Sequence, residues 1–145
     1  MAVIRANMAE ISTEFKPVEP NNYQLEVVKI EDILEDPSDP DSLKAKVISS
    51  KITDPGDMQG RQIRDYINLR TKDGEWNEIG LGNVKRYFEV ICGKDEVATW
   101  EDEDYDTDKL LGGMFLGQVT IEYYTPKGET EARPANRFKR MESIS

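Results

Sequence analysis

Histidine is absent from this chain of 145 residues, and cysteine occurs once, at Cys92. Without histidine the chain lacks the commonest general acid–base group and the usual nitrogen ligand of zinc. A lone cysteine cannot form a disulfide within the chain, and it is typical of proteins in a reducing compartment. We therefore expect a cytoplasmic protein that is not an enzyme and that has neither a cofactor nor a metal site.

Long apolar segments are also missing. No run approaches the roughly 20 apolar residues that a helix needs to cross a bilayer, and the first residues lack the basic and apolar stretches of a signal peptide. The length suits a single domain with one core. We expect one domain over residues 1–145, with residues 1–14 as a flexible N-terminal arm and with no membrane partner.

Negative charge is in excess, because 29 acidic residues stand against 19 Lys and Arg, which gives a net charge of -10. Twelve of these acids fall in two runs without a basic residue, Glu31–Asp41 and Glu101–Asp108, which leaves 17 acids against the same 19 bases elsewhere. The local field of a groove matters more for binding than the net charge does. We expect both runs to form loops that lie away from any binding groove.

The apolar pattern predicts three strands, one helix and two further strands. Alternating apolar residues mark the strands, and a stripe of core residues at helical spacing marks the helix. The predicted strands cover Tyr23–Ile30, Leu43–Thr53, Gln62–Arg70, Met114–Tyr124 and Glu131–Met141, and the helix covers Asn83–Cys92. This order predicts an all-β fold with one helix, a five-stranded Greek-key barrel of the OB type with the helix between strands 3 and 4. Small β-sandwiches with one helix share the order.

The third predicted strand separates two kinds of side chain. Its odd positions are mostly apolar, whereas its even positions include Tyr66 between Arg64 and Asn68. Such a face suits a single strand of nucleotides, because guanidinium groups pair with phosphates and an aromatic ring stacks on a base. An ordinary solvated sheet face is the alternative interpretation.

The candidate DNA-binding set collects the basic and aromatic residues of the predicted strands and helix. In OB-folds the face of strands 2 and 3 binds oligonucleotides, and most of the set lies on predicted strands 2, 3 and 5, on one expected face. The set consists of Lys44, Lys46, Lys51, Arg61, Arg64, Tyr66, Arg70, Arg86, Arg137, Phe138, Lys139 and Arg140.

Several short motifs are distributed along residues 15–141. They are Phe15-Lys16-Pro17-Val18 before a strand that begins with Tyr, Ile52-Thr53-Asp54 followed by Gly60-Arg61-Gln62-Ile63 and Asn68-Leu69, then Leu110-Leu111-Gly112-Gly113-Met114-Phe115, and finally Asn136-Arg137-Phe138-Lys139-Arg140. In these motifs the chain resembles the small single-stranded DNA-binding proteins encoded by bacteriophages and prophages. The resemblance implies an OB-fold, no enzymatic activity, and a role in phage DNA replication or recombination in the host cytoplasm.

Two features depart from that family. Its usual Lys or Arg after the Leu-Gly pair is Gly113 here, and the closing residues Met141–Ser145 do not form the acidic tail through which many single-strand binders recruit partners. Recruitment through such a tail is therefore in doubt, and recruitment through the two internal acidic runs is the alternative.

Two functions remain open. The first is sequence-tolerant binding of single-stranded DNA, with replication or recombination proteins as further partners and with self-association undecided. The second is that of an acidic interaction protein, such as a DNA mimic that binds a host nuclease or repressor. The net charge favours the second function, whereas the clustering of the acids and the basic strand face favour the first.

Overall fold

The chain folds into a five-stranded sheet with one long helix, as described by a computed structural model for residues 2–3, 16–100 and 105–144. Its elements are β1 (Asn21–Leu34), β2 (Leu43–Asp54), β3 (Gln62–Asn68), α1 (Glu78–Cys92), α2 (Lys94–Val97), β4 (Met114–Tyr124) and β5 (Arg133–Glu142), with short 3-10 helices at Gly56–Met58 and Thr107–Leu110. The predicted all-β order with one main helix is confirmed. Most of the predicted N-terminal arm and part of the second acidic run lie outside the described residues.

All five strands belong to one antiparallel sheet in the order β3-β2-β1-β4-β5. The central strand β1 pairs with β2 on one side and with β4 on the other. β1, β2 and β3 form an antiparallel meander, and β4 and β5 form a hairpin. The edge strands β3 and β5 approach each other beside α1. Within the described ranges no backbone ladder joins them, so the sheet is open.

The core lies between α1 and one face of the sheet, which we call the inner face. Leu25, Ile48, Ile63 and Phe115 are fully buried there, and Tyr87 of the predicted helical stripe packs among them. Alternate residues of each strand reach this core because successive side chains point to opposite faces. Burial of each large apolar side chain contributes about 1.5–3 kcal/mol to stability. The opposite face of the sheet is called the outer face.

Helix α1 begins five residues before its predicted start. The side chain of Asn77 accepts hydrogen bonds from two backbone N–H groups of the first turn, at 3.0 and 3.4 Å, and so caps the helix. Two glycines, Gly80 and Gly82, obscured this turn in the sequence because glycine is a poor helix former. The helix ends at Cys92, as predicted, and Gly93 follows it as the C-terminal cap. No helix in the described part of the chain is long and apolar enough to cross a membrane.

Strand β1 continues to Leu34, four residues beyond its predicted end. The first acidic run therefore begins on a strand, where Glu31 pairs with Val47 and Asp32 pairs with Lys46. Acidic residues have low strand propensity, but pairing with a neighbouring strand overrides that preference.

The segment that precedes β1 is hydrogen-bonded to β5. The side-chain amide of Asn136 accepts a hydrogen bond from the backbone N–H of Val18 and donates one to its carbonyl oxygen, both at 2.8 Å. Nearby, the hydroxyl of Tyr23 donates to the carbonyl oxygen of Glu19 at 2.6 Å. Val18 is buried, so both of its backbone groups need these partners.

Candidate nucleic-acid interface

The outer face of β1, β2 and β3 is built from four cross-strand rows. In register they are Ile33, Ala45 and Asn68; Glu31, Val47 and Tyr66; Lys29, Ser49 and Arg64; and Glu26, Lys51 and Gln62. Residues opposite each other in an antiparallel ladder share a face. The small residues of the middle strand are buried, and the longer side chains of β1 and β3 stand on either side of them.

Tyr66 is an exposed aromatic group of this surface, and Arg64 is one of its exposed cations. The Tyr66 ring is 48% exposed, and the Arg64 side chain is 65% exposed. Ile63 and Ile67 point the other way and are buried. The predicted division of β3 into an apolar face and a basic, aromatic face is therefore confirmed.

The first acidic run does not lie away from this surface, which contradicts the expectation from the sequence. One carboxylate oxygen of Glu31 is 3.4 Å from the ammonium of Lys29 and 3.7 Å from the guanidinium of Arg64. The expectation was wrong because the extension of β1 brings the first acids of the run into the sheet.

Lys46 does not share the outer face with Tyr66, contrary to expectation. Its side chain turns toward the inner face, and Lys44 lies beside an irregularity in the β1–β2 register. The Lys46 side chain is only 15% exposed, contacts Asp32 at 2.7 Å and donates to the hydroxyl of Thr107 at 2.8 Å. Lys44 lies 3.8 Å from Glu35. Both lysines are thus paired with acids of the first run.

Arg61 and Arg70 flank β3, and both donate to backbone carbonyl oxygens. Arg61 is exposed and donates to Lys16 at 2.5 Å. Arg70 donates to Leu43 at 3.3 Å, and its guanidinium lies over the ring of Trp76 at 3.5 Å from the centroid. Arg70 therefore holds the connection after β3, whereas Arg61 is tied to the segment that precedes β1.

A polar cluster joins α1 to the edge strands and includes Arg86. The hydroxyl of the buried Tyr87 donates to a carboxylate oxygen of Asp65 at 2.8 Å. Burial raises the pKa of Asp65 above its ordinary 3.8, while the hydrogen bond from Tyr87 and the charges of Arg137 and Arg86 act in the opposite direction. Burial, together with the charge of Asp65, raises the pKa of Tyr87 well above its ordinary value. The charge of Arg86 acts on both Asp65 and Tyr87, so Arg86 belongs to this cluster. Its Nε atom is buried and has no hydrogen-bond partner among the described residues.

The basic and aromatic part of β5 is divided between the two faces. The ring of Phe138 packs edge-on against Phe115 at 5.5 Å between centroids and is partly buried. This packing is inconsistent with base stacking by Phe138, which was expected from its basic neighbours. The exposed residues of this part are Arg137, Lys139 and Arg140. Arg137 lies 3.9 Å from Glu122 of β4.

The β4–β5 hairpin extends beyond the rest of the sheet and carries two tyrosines that the sequence reading missed. β1 pairs with β4 only as far as Val119, so the last five residues of β4 pair with β5 alone. Tyr123 is 71% exposed, and Tyr124 is exposed opposite Arg133. Adjacent tyrosines at the end of an amphipathic strand were the available signal, since two neighbours cannot both reach the same core face.

An apolar groove of about 640 Å³ lies on the inner side of β2, away from the outer face. Both tryptophans line it, and Trp100 stacks on Tyr105 and packs edge-on against Phe88. Lys46 lies at its border, where Asp32 already pairs with it. The groove is therefore a separate surface from the one that carries Tyr66.

Within the described ranges, no three His, Cys, Asp or Glu side chains come together as metal ligands. No protein-family model and no curated protein matches this chain. Its function is therefore inferred from the geometry and charge of the outer face and the hairpin.

Proposed function

We propose that this protein binds single-stranded DNA, with little preference for base sequence, and catalyses no reaction. The observation that carries this proposal is the exposed ring of Tyr66 beside the exposed guanidinium of Arg64, on a surface that also holds Lys51. Proteins that bind single strands without sequence preference combine aromatic stacking on bases with cations along the phosphates.

The sheet is, in this proposal, an OB-type Greek-key barrel left open between β3 and β5. The strand order, the position of α1 between β3 and β4, and the approach of the two edge strands support it. In OB-folds the face of strands 2 and 3 and the loop between strands 4 and 5 bind oligonucleotides. These two places carry Tyr66 with Arg64 and Tyr124 with Arg133 here.

The biological role proposed is that of a bacteriophage single-stranded DNA-binding protein in DNA replication or recombination. The sequence motifs described above support this role, and the host cytoplasm is the compartment it implies. Replication or recombination proteins are the further partners that the role implies.

Binding of a fluorescently labelled oligo-dT, followed by anisotropy, tests the proposal. Tyr66→Ala should weaken binding by about 1–3 kcal/mol, nearly equally for oligo-dT and for mixed sequences, because every base has a face on which a ring can stack. Tyr66→Phe is the matched control, which keeps the ring and should keep the affinity. A Tyr66→Ala variant that melts and binds like the wild type would exclude this face as the binding site.

A protein-binding role, including that of a DNA mimic, is the second candidate. The pairing of Arg64, Lys44 and Lys46 with acids of the first run favours it, because paired cations attract phosphate less strongly. The wild-type protein decides between the two roles in the same assay. Absence of binding to oligo-dT at micromolar protein and low salt would favour the second role.

A further inference from the structure

Glu31 has an unusual position for an acid on a surface proposed to bind phosphate. It lies in the same cross-strand row as Tyr66, with Val47 between them. A single oxygen, Oε1, is within 3.4 Å of Lys29 and 3.7 Å of Arg64. The Glu31 side chain is 32% exposed, half as much as either cation, so it lies lower on the surface than they do.

The arrangement depends on the register of three strands. Lys29 and Arg64 lie opposite the same residue of β2, Ser49, which is small and buried. No long side chain therefore separates the two cations, and Glu31 occupies the next row of β1. The carboxylate oxygen takes a place between two cations that a phosphate oxygen of a bound strand would also take.

We propose that Glu31 is a built-in competitor for phosphate, which holds Lys29 and Arg64 until a nucleic acid displaces it. This inference rests on the proposed binding of single-stranded DNA. A phosphate that reaches Arg64 must replace an existing ion pair, so phosphate contact alone gains little at this point. A single strand gains stacking on Tyr66 in addition.

The competition discriminates between single strands and duplex. The bases of a duplex are stacked on one another, so a duplex offers this face mainly its phosphates. It has to displace Glu31 without the compensation of base stacking. Glu31 is thus a specificity-determining residue, which lowers the affinity for duplex more than the affinity for single strands.

The experiment compares wild type with Glu31→Gln, which has nearly the same shape and no charge. Affinities for oligo-dT and for a duplex of equal length are measured over a range of salt concentrations. We expect Glu31→Gln to bind oligo-dT about threefold more tightly at low salt and the duplex about tenfold more tightly, because the field at Arg64 becomes more positive. The salt dependence should also steepen for each cation that gains a phosphate, by about 0.7 in logarithmic slope for oligo-dT and about 0.9 for the duplex.

Two controls identify the cause of any gain. Glu78→Gln removes the same charge at the exposed start of α1, and it should change both affinities much less than Glu31→Gln does. In an Arg64→Ala background most of the gain from Glu31→Gln should disappear, since the competitor has lost its main partner. Thermal melting checks that each variant is folded, and Glu31→Thr, with a residue that favours strands, provides a second variant without the carboxylate.

The outcomes distinguish this inference from the proposed function. If wild type binds oligo-dT and neither Glu31 variant gains affinity for the duplex, the competitor role is wrong and the function stands. An equal gain from Glu78→Gln would also overturn it, since net charge alone would explain the result. If neither wild type nor any variant binds oligo-dT, the proposed function fails and this inference fails with it.

Discussion

Two glycines of α1 stand two residues apart and have opposite roles. A Cβ at Gly80 would collide with the backbone carbonyl group of Asn68, the last residue of β3, whereas a Cβ at Gly82 would meet nothing within 4 Å. Gly80 therefore permits the close approach of helix and strand. Gly82 has no such function and only weakens the helix.

The substitution of each glycine by alanine tests this difference. Gly80→Ala should lower the free energy of unfolding by about 3 kcal/mol or more, since backbone rather than a flexible side chain must move. Gly82→Ala should raise it by about 0.5–1 kcal/mol through helix propensity. Urea denaturation measures both values, and equal effects of the two substitutions would contradict the packing described here.

Asp65 makes the stability depend on pH. Its pKa is raised in the folded protein, chiefly by burial, so in the window above 3.8 the folded state holds a proton that the unfolded state has lost. The stabilisation is fully present below the unfolded value and is lost as the pH rises through the raised pKa. Asp65→Asn removes this loss and can still accept the hydrogen bond of Tyr87.

Denaturation at a series of pH values measures the effect of Asp65→Asn. The free energy of unfolding of the variant, relative to wild type, should increase as the pH rises through the window that begins at 3.8. Asp73→Asn, in an exposed loop, is the control and should not produce this trend. Parallel curves for Asp65→Asn and wild type would rule out the proposed titration of Asp65.

At the scale of elements, a substitution in the β4–β5 hairpin should change DNA binding without changing the stability of the fold. Tyr124 lies on the part of β4 that pairs with β5 alone, and its ring is exposed opposite Arg133. Tyr124→Ala should weaken binding to oligo-dT by about 1–3 kcal/mol if the ring stacks on a base. The melting temperature should stay near that of wild type because little apolar area is lost from the core. Tyr124→Phe should bind normally, and normal binding by Tyr124→Ala would exclude the hairpin from the site.

Period-two alternation was enough to predict the five strands and the two faces of β3. The pairing of Glu31 with Arg64 was not predictable in this way, because it depends on how β1 and β3 are each aligned with β2. The first turn of α1 was missed for a different reason. Gly80 and Gly82 disfavour a helix locally, but the cap at Asn77 and the contact with Asn68 outweigh that preference.

Phe138 is a residue of the candidate site whose role could not be predicted from the sequence alone. Its basic neighbours made it a candidate for base stacking, but a Cβ at Gly117 would lie 2.8 Å from its ring, so the absent side chain provides the space that Phe138 fills. The sequence contains both residues, 21 positions apart, yet their contact depends on the β4–β5 pairing. The irregularity of the β4–β5 register lies close to this contact, between Gln118 and Val119.

At the scale of the whole molecule, the net charge of -10 adds repulsion to the folded state. Ion pairs such as Arg64–Glu31 and Arg137–Glu122 are largely exposed, and exposed pairs contribute only about 0–1 kcal/mol each. Added salt weakens both the repulsion between the excess negative charges and the ion pairs. Its effect on the repulsion should be the larger of the two, so salt should stabilise the folded state. We expect the melting temperature to rise as NaCl is increased from low to moderate concentration. A falling melting temperature would show that the ion pairs dominate.

The two hydrogen bonds between the Asn136 side chain and the Val18 backbone have a consequence for the cooperativity of unfolding. The side chain of Asn136 acts as one additional backbone unit, which attaches a segment 118 positions away in the chain to the edge strand β5. Detachment of β5 would leave two buried backbone groups of Val18 unpaired, and release of the leading segment would leave the side-chain oxygen of Asn136 without its partner. We therefore expect the leading segment and the last strand to open together, and hydrogen exchange should show equal protection of the Val18 amide and of the β5 amides.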